Sequence, residues 1–363
     1  MTASEQSRLH LAWEGFLAIL TSETTAYIVK RLLQALLTLF LASFLSFIII
    51  QLAPGDYLDT LRQNPKIRPE TLDQLRQQFG LDKSWIEQYF LWLWQIIQPH
   101  RVQIGPIPFF LPQGNFGNSF VYNRSVSSLL AERIPATLEL AIASLILTWA
   151  VALPLGILGA VNQNRWLDRT LQVLSYGGQG FPSFITALLL LILAQNTSPL
   201  FPVGDRTSID HADLSWIGKQ LDLAWHMILP TIALTITSFA GLQRIMRGQL
   251  LDVLRQDYIQ TARAKGLPEE RVVYVHALRN AVNPLITLLG FEFSGLLGGA
   301  FISEFFFNWP GLGRLILQAV TAQDLYLVMA SLMMGAVMLI VGNLLADLLL
   351  KAVDPRIKLE DLN

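Results

Sequence analysis

The residues able to do chemistry in this chain are few, and several lie in costly places. Glu139, Glu292, Glu304 and Asp347 fall inside or at the edges of long apolar runs. An ionisable group at the bilayer centre costs about 2.5–3.5 kcal/mol even on lenient insertion scales, so each must meet a partner, an aqueous route or the interface. Glu292 is the deepest of the four and is the candidate for a pathway role. Glu304 lies near the outer end of its run, as a candidate gate or packing residue or a group simply reaching the interface. Glu139 reads as an anchor at the outer surface, and Asp347 as a partner for a basic residue at the inner one. Gln179 and Ser183 are weaker lining candidates, because Gly177, Gly178, Gly180 and Pro182 surround them. Those residues either break the helix and bare carbonyls to water or permit close helix packing, and packing is the simpler reading.

Other chemistries lack their parts. No GxxxxGK[ST] phosphate loop and no GxSxG elbow occurs. His10, His100, His211, His226 and His276 are scattered without metal-ligand spacing. With no cysteine there is no disulfide, thiolate metal site or cysteine nucleophile. An intramembrane enzyme would need paired groups at one depth, and the acids lie at scattered depths.

The elements that carry these residues follow from composition. Of 363 residues 52% are hydrophobic and 15% charged, with a mean hydropathy of +0.44. Soluble chains carry about 25% charged residues, so disorder, a nucleic-acid scaffold and most soluble two-domain enzymes are excluded. A net charge of −1 gives no reason for a nucleic-acid partner. Six runs can span the roughly 30 Å of hydrocarbon that takes about 20 helical residues: about 32–53, 137–161, 171–195, 226–244, 284–307 and 326–350. The expectation is an all-α membrane protein of six transmembrane helices. The first run is too long for a signal peptide and no small-x-small cleavage site ends it.

The basic residues orient it. With the N-terminus inside, fifteen fall on the inner side, among them Lys30, Arg31, Arg165, Arg169, Arg244, Arg247, Arg263, Lys265 and Lys351. The short outer loops hold Arg206, Lys219 and Arg314. Both termini are expected in the cytoplasm of a multi-pass plasma-membrane protein, the bacterial inner membrane. The chain divides into a lead-in (1–29), a first helix with an extracytoplasmic cap (30–136), a transmembrane core (137–353) holding an inner loop (245–283), and a tail (354–363). The lead-in is either a surface-lying segment or a weakly ordered one.

The outer segment predicts an amphipathic helix from Pro69 to Phe79 closed by Gly80, then an aromatic stretch from Trp85 to Trp94. It suits either a small folded cap or an interfacial aromatic belt. In the inner loop, helical spacing puts Tyr258 or Ile259, Ala262 and Gly266 on one stripe, with Arg263 and Lys265 beside it. Gly266 is placed as a left-handed helix stop, and Pro268-Glu269-Glu270 opens a second helix. Two short helices at a sharp corner make a docking knob, or else a solvated loop.

The sequence Gln260-Thr261-Ala262, then Gly266, then His276-Ala277-Leu278 resembles the EAA loop of ABC importer permeases. Thr261-Ala262-Arg263-Ala264-Lys265-Gly266-Leu267 followed by His276-Ala277-Leu278-Arg279-Asn280-Ala281 is similar to the peptide/nickel subfamily, first-permease type. Ala53-Pro54-Gly55-Asp56, Phe79-Gly80-Leu81-Asp82, Gly114 to Ser119, Arg133 to Leu140, Trp309 to Gly313 and Asp354-Pro355-Arg356 agree with it. The chain departs from the general pattern at Gln260, where glutamate is usual, and at Arg279, where proline is usual. Residues 99–112 read as an insertion.

The resemblance implies a type I permease fold whose loop at Tyr258, Thr261, Ala262, Arg263, Ala264, Lys265, Gly266 and Leu267 docks on separate ATPase subunits. It implies that ATP and Mg are bound by those partners and that no cofactor is bound by this chain. It also implies a second, related permease, an extracytoplasmic solute-binding protein and surrounding lipid. The function implied is ATP-driven uptake of peptides or a related small solute by alternating access. The rival is an ion-gradient transporter, which calls for internal repeats with paired broken helices.

Overall fold

The computed structural model describes residues 23–53, 55, 57–62, 68–104, 107–197 and 200–353. Most of the lead-in, the Asp354-Pro355-Arg356 motif, and Pro54 and Asp56 lie outside the described residues.

Helix α1 (Glu23–Leu52) turns Tyr27, Ala35, Ser43 and Phe47 inward and leaves a leucine-rich face exposed, as a lipid-facing helix requires. Its N-terminal end is fixed by a pairing with Asp347. That carboxylate accepts hydrogen bonds from the Tyr27 hydroxyl at 2.5 Å and from Arg31 Nη2 at 2.8 Å.

The outer segment folds as a cap. It comprises α2 (Tyr57–Arg62), α3 (Pro69–Gln78) and α4 (Trp85–Ile97), then a hairpin of β1 (Pro99–Ile104) and β2 (Ile107–Pro112). The hairpin is antiparallel, pairing Pro99 with Pro112 and Ile104 with Ile107. It occupies the inserted stretch and departs from an all-α expectation. Alternation of β-branched and aromatic residues on each side of Gly105-Pro106 is the reason. Ser84 opens α4 through a capping box with Glu87. Tyr89 and Trp92 of α4 are buried with Phe120, Leu129 and Leu130, so the aromatics form a core and not merely a belt.

The membrane part follows. It holds α5 (Val126–Val161), the pair α6 (Trp166–Gly180) and α7 (Ser183–Asn196), and α8 (Trp216–Leu254). Next come α9 (Asp257–Ala264), α10 (Glu269–Arg271), a π-helical turn (Val272–Ala277) and α11 (Leu278–Ala281). The last elements are α12 (Asn283–Phe306), α13 (Leu312–Thr321) and α14 (Leu325–Val353). Helices α5 and α8 have 36 and 39 residues, far longer than a span needs. The first turns of α5 therefore pack inside the cap, while the last turns of α8 carry α9 beyond the apolar zone.

Among the described residues α1, α5, α8 and α14 are long and apolar enough to cross a membrane, and the α6–α7 pair makes a fifth if counted as one span. Against the six expected, the count is thus four to five. Where the fifth span was expected stands α12, a 24-residue helix. The third is no single helix: α6 and α7 meet at 101°. Close packing is the simpler reading of its glycines, and Gly178 does lie beside α8, but the helix also breaks. Pro182 has no N–H and disfavours helix at Phe181 before it, while the glycines cost helix stability.

Candidate coupling surface and pathway residues

Helix α9 leaves α8 after a two-residue corner and is short because its sequence stops it. Gly266 has φ of +76°. Its N–H donates to the Arg263 carbonyl at 2.9 Å, and the Leu267 N–H to the Ala262 carbonyl at 3.4 Å. This pair of bonds is the Schellman stop expected of a glycine in that place. Pro268 then caps α10, one position earlier than expected. Arg263 Nε and Nη2 donate across the corner to the two Glu269 oxygens at 3.1 and 2.5 Å. This two-point bond holds the Glu269 carboxyl below, and the Arg263 guanidinium above, their ordinary pKa values.

The faces of α9 divide cleanly. Ile259 and Ala262 are buried against Leu250, Leu251, Val272, Val273 and Ala277. The π turn is what keeps Val272, Val273 and Ala277 on that same buried side. Tyr258, Thr261, Ala264, Lys265 and Gly266 are exposed, and Arg263 and Leu267 are half-buried. The expected stripe is therefore corrected: Ala262 faces the chain's own core, and the outward face is built on Tyr258, Thr261, Ala264 and Lys265. Side-chain size sets this, because the one bulky aliphatic residue of α9, Ile259, draws its neighbour Ala262 inward. Asn280 of α11 donates to the Tyr258 hydroxyl at 2.7 Å and fixes the rim of that face.

The four pathway candidates do not converge. Gln179 is exposed near the end of α6, and Ser183 is half-buried at the start of α7. Glu292 is half-buried in the middle of α12. Glu304 is fully buried and has its own partners. Thr137 Oγ1 donates to its Oε1 at 2.6 Å, the Arg314 N–H to its Oε2 at 3.1 Å, and Leu312 N–H donates to Thr137 Oγ1 at 2.7 Å. Trp309 Nε1 donates to the Ala136 carbonyl at 2.8 Å. The stretches around Thr137 and Trp309 thus form one latch with Glu304 at its centre. The carboxylate is sequestered, so interface exposure is not its state. Glu139 forms a two-point bond with Arg206, at 2.7 and 3.2 Å for the Nη2 and Nε donors.

One polar centre lies outside the candidates named from the sequence. Asp168, fully buried, accepts from Arg247 Nε and Nη2 at 2.6 and 2.7 Å, from Gln172 at 3.0 Å and from the Asn164 N–H at 2.9 Å. Seven residues further along α6, Ser175 donates to Gln243 of α8 at 2.8 Å. The i, i+7 spacing of Asp168 and Ser175 on an amphipathic helix was the available signal.

Known proteins give this architecture its context. Residues 152–359 match the family described as binding-protein-dependent transport system inner membrane component. Residues 24–141 match the N-terminal region of such membrane components. The chain is 36% identical over 334 residues to the oligopeptide transport system permease protein AppB of Bacillus subtilis, covering 92% of this chain and 99% of that one. It is 34% identical over 335 residues to the glutathione transport system permease protein GsiC of Escherichia coli, covering 92% and 98%. A putative peptide permease protein of Brucella suis is 38% identical over the same length. Among solved structures, the MetNI methionine ABC transporter in an inward-facing conformation aligns over 62% of this chain at 18% identity, with a TM-score of 0.47. With relatives matched almost end to end and family models over both parts, the chain belongs to the inner-membrane permease components of binding-protein-dependent ABC importers.

Proposed function

We propose that this permease subunit receives the force of ATP hydrolysis through the outward face of α9 and its corner, at Tyr258, Thr261, Ala264, Lys265 and Gly266, with Arg263 and Leu267 at the edge. The supporting observation is the division of α9 into a buried Ile259–Ala262 face and a bare opposite face held by the Gly266 stop. Because Ile259 and Ala262 are embedded beside the end of α8 and the π-helical turn, a push on α9 moves those elements with it. The ATPase subunits carry ATP and Mg, which this sequence has no phosphate loop to hold.

The basic residues around α9 support a cytoplasmic position for it and for both termini. The cap then faces outward, where a solute-binding protein delivers its cargo. The outer faces of α1, α6 and α7 carry many exposed leucine, valine and phenylalanine side chains, which suits lipid on one side and a second, related permease on the other. The substrate is a peptide or a peptide-like solute, the class named for the relatives. Glu292 remains the candidate charged group along the route.

The test is to place tryptophan at Thr261 or at Ala264 in the complete importer. Both positions are exposed, so insertion and thermal stability should persist while copurification of the ATPases or transport-coupled hydrolysis falls at least about tenfold, the effect of removing about 1.4 kcal/mol. Unchanged coupling in both variants would place the docking surface elsewhere.

A further inference from the structure

The break between α6 and α7 lies level with the middle of α8. Helix α6 runs against α8 from its first turns, through the Asp168–Arg247 and Ser175–Gln243 bonds. It ends with Gly178 beside the Ile236 carbonyl, where an added Cβ would sit 3.5 Å from that oxygen. Ile236 is near the middle of the 39-residue α8. Here α6 stops without a cap. Phe181 makes no capping hydrogen bond, and among the described residues no donor outside α6 reaches the carbonyls of Gly177, Gly178, Gln179 or Gly180. Gly177, Gln179, Gly180, Phe181 and Pro182 are exposed, and a Cβ built at Gly177 or Gly180 would meet nothing within 4 Å.

Bare backbone carbonyls are not stable against hydrocarbon. At membrane depth, interrupted helix survives only where protein covers it or water reaches it. The end of a helix also carries partial negative charge, equivalent to about half an electron. It therefore favours a ligand that donates hydrogen bonds and bears positive charge, and the absence of side chains at the glycines lets such a ligand come to backbone distance.

We propose that the α6–α7 corner lines the aqueous pathway and that its free carbonyls, with the Gln179 amide, receive the ammonium terminus and backbone N–H groups of a peptide in transit. This rests on the reading of the chain as a peptide-class importer permease and gives that reading a place of substrate contact. Broken half-helices at mid-membrane serve ion and substrate binding in other transporter folds by the same physics.

The absence of cysteine supplies a clean test. In the complete importer in proteoliposomes, Gln179→Cys gives this chain a single thiol, and Leu189→Cys, on an exposed face of α7, is the comparison. A membrane-impermeant, cationic methanethiosulfonate reagent should modify Cys at 179 at least about tenfold faster than at 189, since the thiolate that reacts forms only where water reaches it. Trialanine should slow that modification several-fold, and N-acetyl-trialanine should slow it less. Equal rates at the two positions, or crosslinking of position 179 to the second permease without reagent access, would overturn the proposal. So would modification that neither peptide slows. ATP-driven trialanine uptake by the unaltered complex is measured in parallel. If uptake is absent, the peptide-importer reading fails and the proposal falls with it; uptake without protection overturns the corner site alone.

Discussion

Asp168 and Arg247 meet in a two-point ion pair, 2.6 and 2.7 Å long, that ties the first turn of α6 to α8 ten residues before α9 begins. The carboxylate is fully buried while the guanidinium keeps partial access to solvent. Gln172 and the Asn164 N–H fill the remaining acceptor positions. The inner half of the broken span, the end of α8 and α9 are thereby joined into one body, and the 101° corner is the place where that body ends. The α6–α8 contact thus includes a polar bolt beside its apolar packing.

That bolt carries a large energy. Arg247→Met leaves Asp168 buried without its charge partner, which typically costs about 3–5 kcal/mol. Asp168→Asn in addition removes the stranded charge, so the double variant should recover part of the loss. Thermal unfolding of the importer in detergent measures the cycle. A double variant whose loss of stability equals the sum of the Arg247→Met and Asp168→Asn losses would show that the pair is not coupled.

Much of this was legible in the sequence, because the strongest signals are local. Apolar runs gave the positions of α1, α5, α8, α12 and α14. The glycine stop at Gly266 and the partner for Asp347 follow from rules that involve one helix end each. What was missed depends on contacts between elements distant in the chain. Small residues suit docking and point to Ala262 as outward, but Val272 and Val273, ten and eleven residues on, claim that face. Glu304 was offered the interface, since nothing in the sequence shows Thr137, 167 positions away, donating to it. Hydropathy is blind to direction, so a bend at Pro182 leaves the average of the third run unchanged.

The Gly266 stop should be sensitive to residue type in a definite order. At φ of +76° an L-residue with a Cβ pays about 1–2 kcal/mol, and asparagine pays less. Nothing crowds the position, so the penalty is conformational and not steric. Thermal stability should fall in the order glycine, asparagine, alanine, valine. Equal stability of the asparagine and valine variants would mean that the corner adopts another conformation.

The Glu304 latch should break at either of two small residues. A Cβ at Gly311 would overlap the Glu304 carboxyl, so Gly311→Ala must displace the carboxylate or the loop. Thr137→Val strands both Glu304 and the Leu312 N–H at a cost of about 1–3 kcal/mol for each unsatisfied group. Thr137→Ser keeps the hydroxyl and should retain most of the stability. Limited proteolysis between Phe307 and Gly313 reads the result: protection in the serine variant and cleavage in the other two. Equal protection in all three would exclude the latch.

The Arg263–Glu269 bridge sets a pH dependence for the α9 corner. The hydrogen bonds from Arg263 hold the Glu269 carboxyl below its ordinary value, which is about 4.3. A depressed carboxylate contributes stability that is present above its unfolded pKa and lost as pH falls through the folded one. Since the pair is largely open to solvent, its worth is about 0.2–1 kcal/mol. Amide exchange at Leu267–Val272, corrected for intrinsic rates, should therefore be steady from pH 8 to about pH 5 and rise at most about fivefold below pH 4. Glu269→Gln should show the faster exchange above about pH 5 and a flat profile that the unaltered protein meets at low pH, while Glu270→Gln, which leaves the Arg263–Glu269 bridge intact, should keep the acid rise. A flat profile in the unaltered protein would mean that the bridge does not hold the corner in solution.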